Sequence, residues 1–274
     1  AIGLRNSEAK YRDTFLPYIL PQNLLHWLKT SIGEAQVPTA GFIYRGALSG
    51  HELQSRAIQF FADVNDASLQ FDPAWPTLTA LDARLLVDDG QAFVRAYSGQ
   101  LYNTAVEGAA VHVLPQSKGI SVHVNARARG YAQDGLRVLR ETPLHKAIGN
   151  TMDSWHMPQG LLTAGLQLQI PLGGADVPQQ EDVRIALYDT QLRMDELRLQ
   201  FNAIQGEIRY DHNTGLQAPA LAATLFDKPV QVAISSKQDK RGQTTLQIDG
   251  QGSANARDIA SWSNLQPLQL LAGQ

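Results

Sequence analysis

Residues 162–172 read LTAGLQLQIPL, and this stretch decides the fold class. Leu162, Ala164, Leu166, Leu168, Ile170 and Leu172 take the even positions, while Thr163, Gly165, Gln167, Gln169 and Pro171 take the odd ones. A helix, turning about 100° per residue, would scatter these apolar side chains around its axis, whereas an extended strand gathers them on one face.

The same period of two recurs on both sides. It runs through Ile120, Val122, Val124, Ala126 and Ala128, through Leu81, Ala83, Leu85 and Val87, and through Val183, Ile185 and Leu187. It returns in Leu197, Leu199 and Phe201, in Val230, Val232 and Ile234, and in Leu246 and Ile248. In 91–97, Phe93 and Tyr97 oppose Ala92, Val94 and Ala96, so periodicity leaves the inward face of that segment open. Asp88-Asp89-Gly90, Gly173-Gly174 and Asn213-Thr214-Gly215 supply residues that tolerate positive φ and mark turns. The connections are short, which favours antiparallel neighbours over helical crossovers.

Three short helices interrupt the strands. The first is expected near 21–32, with Pro21 in its first turn, Gly33 at its stop and a stripe of Leu24, Leu25, Leu28 and Ile32. The second is expected near 132–148, broken at Thr142-Pro143 and ended by Gly149. The third starts near 255, where Asn255 can cap and Asp258 sits three residues on. Trp27 and Trp262 occupy similar places in the first and third, which reads as a long repeat of helix followed by strand block, against the alternative of chance spacing. The units would be 16–131 and 132–254, with 255–274 opening another.

The 274 residues are 43% hydrophobic and 18% charged, so a folded core is expected. A net charge of −3 argues against a nucleic-acid surface, and no run of like charge offers an electrostatic anchor to lipid. The absence of cysteine removes thiolate metal sites, thiol nucleophiles and disulfides. The first residue is alanine, so the sequence reads as a mature form or an excised piece, and no apolar run approaches the roughly 20 residues that span a bilayer. None of the seven histidines (His26, His51, His112, His123, His145, His156, His212) forms a helical zinc pair. There is no G-x-S-x-G elbow and no P-loop, and Gly250-Gln251-Gly252 is too short for a dinucleotide loop. Asp88-Asp89 and Glu181-Asp182 fall at turns or strand starts, where solvation explains them. No enzyme, metal or cofactor is expected.

Leu16-Pro17, Leu20-Pro21-Gln22, Leu25 and Trp27-Leu28, then Gly41, Tyr44-Arg45-Gly46 and Leu48, follow an order that resembles the YhdP branch of the AsmA-like envelope proteins. Leu69-Gln70-Phe71, Trp75-Pro76, Leu81-Asp82-Ala83, Thr142-Pro143-Leu144, Leu168-Gln169-Ile170-Pro171-Leu172 and Gly215-Leu216-Gln217-Ala218 to Leu225-Phe226 continue it, from about residue 16 to 262. Asp227 departs from the pattern, standing where the family places glycine. The resemblance implies a Gram-negative, inner-membrane-anchored protein with a long periplasmic β-rich body. That body would be a curved open sheet with a greasy interior that moves phospholipid between the two membranes, and this chain would be an internal segment of it, with the anchor outside.

On periodicity alone the apolar rows fit a sandwich or closed barrel with a filled core. The resemblance turns the reading towards a mainly β, elongated, curved antiparallel groove of repeats with three short helices. Only 7% of residues are aromatic, and the rows are aliphatic, which suits a fluid lining better than jigsaw packing. The expected lining is Leu81, Leu85, Val87, Ile120, Val122, Val124, Leu162, Leu166, Leu168, Ile170, Val183, Ile185, Leu187, Leu197, Leu199, Phe201, Val230, Val232 and Ile234. The partners would be phospholipid or acyl chains and other segments of the same protein, with no nucleic acid. The alternatives are a chaperone-like track for outer-membrane polypeptide or glycolipid, and a structural β-scaffold with a filled core.

Overall fold

The computed structural model describes residues 1–11, 22–46, 57–145, 152–238 and 244–263, without the side chains of 22–25, 238 and 244. Leu16, Pro17, Leu20, Pro21, Leu48, His51 and Gly149, and the side chains of Leu24 and Leu25, lie outside the described residues.

The strands are β1 (Ile2–Glu8), β2 (Gln36–Arg45), β3 (Ala57–Leu69), β4 (Leu78–Asp88), β5 (Gln91–Leu101), β6 (Thr104–Pro115) and β7 (Ile120–Tyr131). They continue as β8 (Trp155–His156), β9 (Leu161–Leu172), β10 (Gln180–Met194), β11 (Leu199–Asp211), β12 (Gly215–Leu225), β13 (Lys228–Gln238) and β14 (Thr244–Gly252). All fourteen belong to one antiparallel sheet, in chain order except that the short β8 pairs with β10 and β9 follows β7 directly. The order is a path from β1 to β14, not a closed barrel. The helices are α1 (Gln22–Ser31), α2 (Ala132–Glu141) and α3 (Ala256–Ser263).

The turn residues behave as their chemistry requires. Asp89, Gly90, Gly173, Gly174 and Gly215 all have positive φ. At the β12–β13 turn both Phe226 (φ 52) and Asp227 (φ 56) are left-handed, so the turn forms without the family's glycine. α2 ends at Glu141, with Thr142 extended (φ −116, ψ 170), because Pro143 disfavours helical backbone in the residue before it. The Asn255 carbonyl accepts from the backbone N–H of Asp258 (3.0 Å) and Ile259 (3.2 Å), which starts α3.

The chain divides into two compact units: 1–129 with 165–182, and 130–164 with 183–274. In the first unit a small-residue core forms where Ala9, Ala35 and Ile32 meet Ala67, Leu81, Ala83 and Ala96. The segment after α1 is tied there by backbone bonds: Gly33 donates to the Ser68 carbonyl at 3.0 Å, and Ser68 to the Glu34 carbonyl at 2.8 Å. Two strands take an extra residue beside this core. β3 shifts register between Val64 and Ala67, and β4 between Thr79 and Asp82, with Asp66 and Ala80 at positive φ. Asp82 pins both bulges, its carboxylate accepting from the Asp66 N–H and the Ser98 hydroxyl, each at 3.0 Å.

The second unit holds a larger core. Leu136 of α2 packs with Met152, Trp155, Leu162, Leu187, Leu192, Met194, Ile204, Ala218, Leu221 and Ala223. The Arg140 guanidinium donates to the carbonyls of Met152, Asp153 and Trp155, which fastens that segment to the helix. Gly160 (φ 122) runs so close to β10 that an added Cβ would lie 2.3 Å from Thr190 Oγ1, so only glycine fits.

Two outcomes follow. Leu136→Ala is expected to cost about 2–4 kcal/mol through the cavity it leaves among large apolar neighbours, read by urea denaturation. Asp82→Ala is expected to cost about 1–3 kcal/mol, since two donors lose their acceptor, and amide exchange should quicken at Asp66.

Candidate functional site

The registers of β1 to β7 assemble two uninterrupted apolar rows. One runs Leu4–Ala40–Ala62–Leu85–Val94–Val111–Val124, each residue opposite the next on the neighbouring strand. The second runs Ile2–Phe42–Phe60–Val87–Ala92–Val113–Val122. Paired residues share a face, so both rows lie on one side of the sheet, and neither holds a charged or hydrogen-bonding side chain. Six inter-strand steps of roughly 4.8 Å make each row about 29 Å long. A third row, Val64–Ala83–Ala96–Ala109–Ala126, lies beside the small-residue core. The inward face of 91–97, open from sequence, is thereby Ala92, Val94 and Ala96.

The degree of burial distinguishes this surface from a filled interior. Leu85, Val87, Val94, Val111, Val113, Val122 and Val124 are all half-buried, although they face inward. Each keeps apolar area open to contact.

The opposite face of the same strands is different in kind. Asp63 and Arg84 pair across β3 and β4, with nitrogen–oxygen distances of 2.6 and 3.0 Å, and Arg129 pairs with Glu107 at 3.1 Å. Two residues along the strands from the Asp63–Arg84 pair, on the same face, runs a stripe of Phe61, Leu86, Phe93, His112 and His123 in successive register, where Phe93 stacks on the His112 ring at 3.9 Å. These ion pairs therefore lie on the face opposite the two apolar rows.

In the second unit, Ala223–Val230–Gly252, Leu221–Val232–Gly250 and Ala218–Ile234–Ile248 form shorter rows across β12, β13 and β14. Val230, Val232 and Ile234 pack from outside on the core under α2. The expected lining residues thus divide by environment. Leu85, Val87, Val122, Val124, Leu166, Leu168 and Ile170 are half-buried, as are Val183, Ile185, Leu199, Phe201, Val230, Val232 and Ile234, while Ile120 is exposed at the strand start. Leu162 and Leu187, each 6% exposed, sit in the α2 core, and Leu81 belongs to the small-residue core. Leu197 is 53% exposed and lies in the turn before β11, not on the strand. The acidic-turn chemistry there explains it, because Arg198 N–H donates to the Asp195 carbonyl at 3.1 Å and closes the turn.

Sequence reading missed Phe42, Phe60, Val94, Val111 and Val113. Val111, Val113 and the small Ala109 alternate cleanly, but a bulge between Val106 and Gly108 puts Val106 out of phase with them. In β3 the adjacent pair Phe60-Phe61 places one ring on each face, which hides the period.

Among the described residues no group of three His, Asp or Glu side chains is placed to hold a metal ion, and no helix is long and apolar enough to cross a membrane.

Against known proteins, the family model described as YhdP protein matches residues 1–274. The Intermembrane phospholipid transporter YhdP of Escherichia coli (strain K12) is 24% identical over 236 residues, which is 85% of this chain and 18% of that protein. The chain therefore spans less than a fifth of that relative. No solved structure matches.

The Asp63–Arg84 pair carries a pH dependence. The guanidinium beside it holds the Asp63 carboxyl below its ordinary value. A lowered carboxyl stabilises the fold above the unfolded carboxylate's range, near pH 4, and that contribution fades as pH falls through the lowered value. Melting temperatures from pH 7 to pH 3 should show an acid loss that Asp63→Asn reduces without removing, since Asp195 and Asp211 are also held low, and because the pair is solvent-exposed, high salt should shrink the Asp63 share.

Proposed function

This chain belongs to the YhdP family, and from that premise we propose that it is a non-enzymatic, lipid-conducting segment whose inward apolar face carries phospholipid acyl chains through the periplasm. The observation that supports this most is the pair of uncharged apolar rows that cross seven strands without a break and are half-buried from β4 to β7. At roughly 0.8 kcal/mol per CH₂, two acyl chains of some 30 methylenes lose about 25 kcal/mol of hydrophobic free energy on entering water. A surface that keeps the tails in apolar contact removes most of that barrier. A row of about 29 Å is longer than one leaflet's hydrocarbon, roughly 15 Å, so a tail has room to move along it.

On this proposal the chain is one stretch of an inner-membrane-anchored protein and works with other stretches of the same body. Each helix-and-strand block is read as one repeat. Trp27 of α1 donates its indole N–H to the Phe71 carbonyl at 2.9 Å, in the strand block after it, and Trp262 of α3 donates to the Leu197 carbonyl at 2.7 Å, in the strand block before it. Both latch a helix to the turn after a long strand.

The test uses a photo-crosslinking side chain placed singly in the protein at its natural length, in cells. Positions 94, 111 and 168 are expected to yield phospholipid adducts; 95 and 110, on the opposite face, are not. Adducts on polypeptide at the first set would favour a chaperone-like track, and no adducts on either would favour a scaffold. In parallel, Val111→Asp and Leu168→Asp should fold and lose most lipid passage, because a carboxylate in the row must stay hydrated or neutralise. Leu187→Asp, in the α2 core, should unfold. Full transport by the first two variants would remove these rows from the path.

A further inference from the structure

The second unit has a polar hollow of about 300 Å³ where its apolar rows stop, lined by Arg198, Phe226, Asp258, Ser261 and Trp262. Arg198 immediately precedes Leu199, the first residue of β11, and Phe226 immediately follows Leu225, the last of β12. Asp258, Ser261 and Trp262 fall on one side of α3 by their spacing of three and four residues. The corner is fixed by two reciprocal bonds. The Trp262 indole donates to the Leu197 carbonyl at 2.7 Å, and the Arg198 guanidinium donates to the Trp262 carbonyl at 2.9 Å. Ala260, on the same helix, is buried.

Arg198 (φ 51) and Phe226 (φ 52) both sit in turns with left-handed backbone, which places their side chains at the same end of β11 and β12. The lining also joins one cation, one carboxylate, one hydroxyl and two aromatic rings. The guanidinium spends part of its fork on Trp262 and keeps other N–H donors for a second acceptor.

The geometry points to a headgroup site for a zwitterionic phospholipid of the phosphoethanolamine class. Arg198 takes the phosphate, the Ser261 hydroxyl adds a donor, and Asp258 takes the ammonium. The rings of Phe226 and Trp262 favour a cation nearby. The acyl chains then continue onto Leu199, Phe201 and Leu225, which are half-buried and begin one residue away. A hollow of this size is at the small end of ligand sites, enough for a headgroup and not for its tails. This site rests on the phospholipid reading above.

The test incubates the protein, at its natural length, with vesicles of equal phosphatidylethanolamine and phosphatidylglycerol and counts bound lipids by native mass spectrometry. The wild type is expected to enrich phosphatidylethanolamine by roughly three-fold, the scale of one accessible ion pair. Asp258→Asn should shift the ratio towards phosphatidylglycerol, and Arg198→Gln should shift it the other way, since the remaining carboxylate repels the anionic lipid. Total lipid bound should hold in both. Shifts in the same direction, matched by Trp262→Phe, would mean that α3 had merely loosened and would overturn the site. So would an unchanged ratio in both variants, which leaves the conduit itself standing. Erasure of the ratio by free phosphoethanolamine at the lipid's own concentration would reassign the hollow to a soluble ligand. A wild type that binds no phospholipid at all would sink the conduit and the headgroup site together.

Discussion

An apolar row that crosses seven strands exists only if every pairing keeps the same face inward. A slip of one residue in any strand would send the rest of its aliphatic side chains to the opposite side. The first unit meets this constraint by confining its irregularities to one end. β2 shifts register between Gln36 and Thr39, β3 between Val64 and Ala67, β4 between Thr79 and Asp82, and β6 between Val106 and Gly108. All lie on the same side of the Val64–Ala83–Ala96–Ala109–Ala126 row, towards the small-residue core. Beyond them the pairing proceeds one to one, and the two open rows inherit that regularity. Bulges bend a strand as well as shift it, so the bent end coincides with the end where Ala9, Ala35 and Ile32 need to approach.

The strand content and the turns were legible because they rest on local chemistry. Period-two runs such as Leu162 to Leu172 have one extended reading, and Asp89-Gly90, Gly173-Gly174 and Gly215 have few alternatives to positive φ. The end of α2 at Thr142-Pro143 follows from the proline ring alone. What stayed hidden was register. Thr190, Leu192 and Met194 share a face with Val183, Ile185 and Leu187 because Asp189 (φ 47) takes up an extra residue, and nothing in the composition of β10 marks that position before the pairing is known. The same gap concealed Val111 and Val113 in β6. Of the expected lining, the members that α2 covers were indistinguishable from the open ones, since Leu162 and Leu168 sit on the same strand with the same period, and only the helix decides which is sealed.

The two units use helices with unlike results. α2 brings Leu136 against leucine, methionine and tryptophan, and the side chains beneath it are buried. Arg140, anchored on three carbonyls, keeps that cover in place. In the first unit the covering segment meets mainly alanine, and its core spans six buried residues. Small residues let backbone approach closely but bury little area each, so most of the neighbouring valine and leucine surface stays half-open. The filled and the open regions are thus set by the size of the residues beneath the cover, not by strand pattern.

That difference bears on how a tail would travel on the proposed reading. Transport along a surface is slowed by its deepest well, not helped by its strongest contact. Leu85, Val94, Val111 and Val124 present nearly equal aliphatic contacts at successive strands, and Val87, Ala92, Val113 and Val122 do the same in the next row. A chain of methylenes passing over them exchanges like for like, gaining at one strand what it releases at another. No hydrogen-bonding group on the rows fixes a preferred position. A cluster such as Trp155 with Met152 and Met194 would be a trap if it were open, and in the second unit α2 and its following segment close it. On the proposed function, uniform rows left open and adhesive ones covered form the arrangement that would let a greasy molecule move without being held.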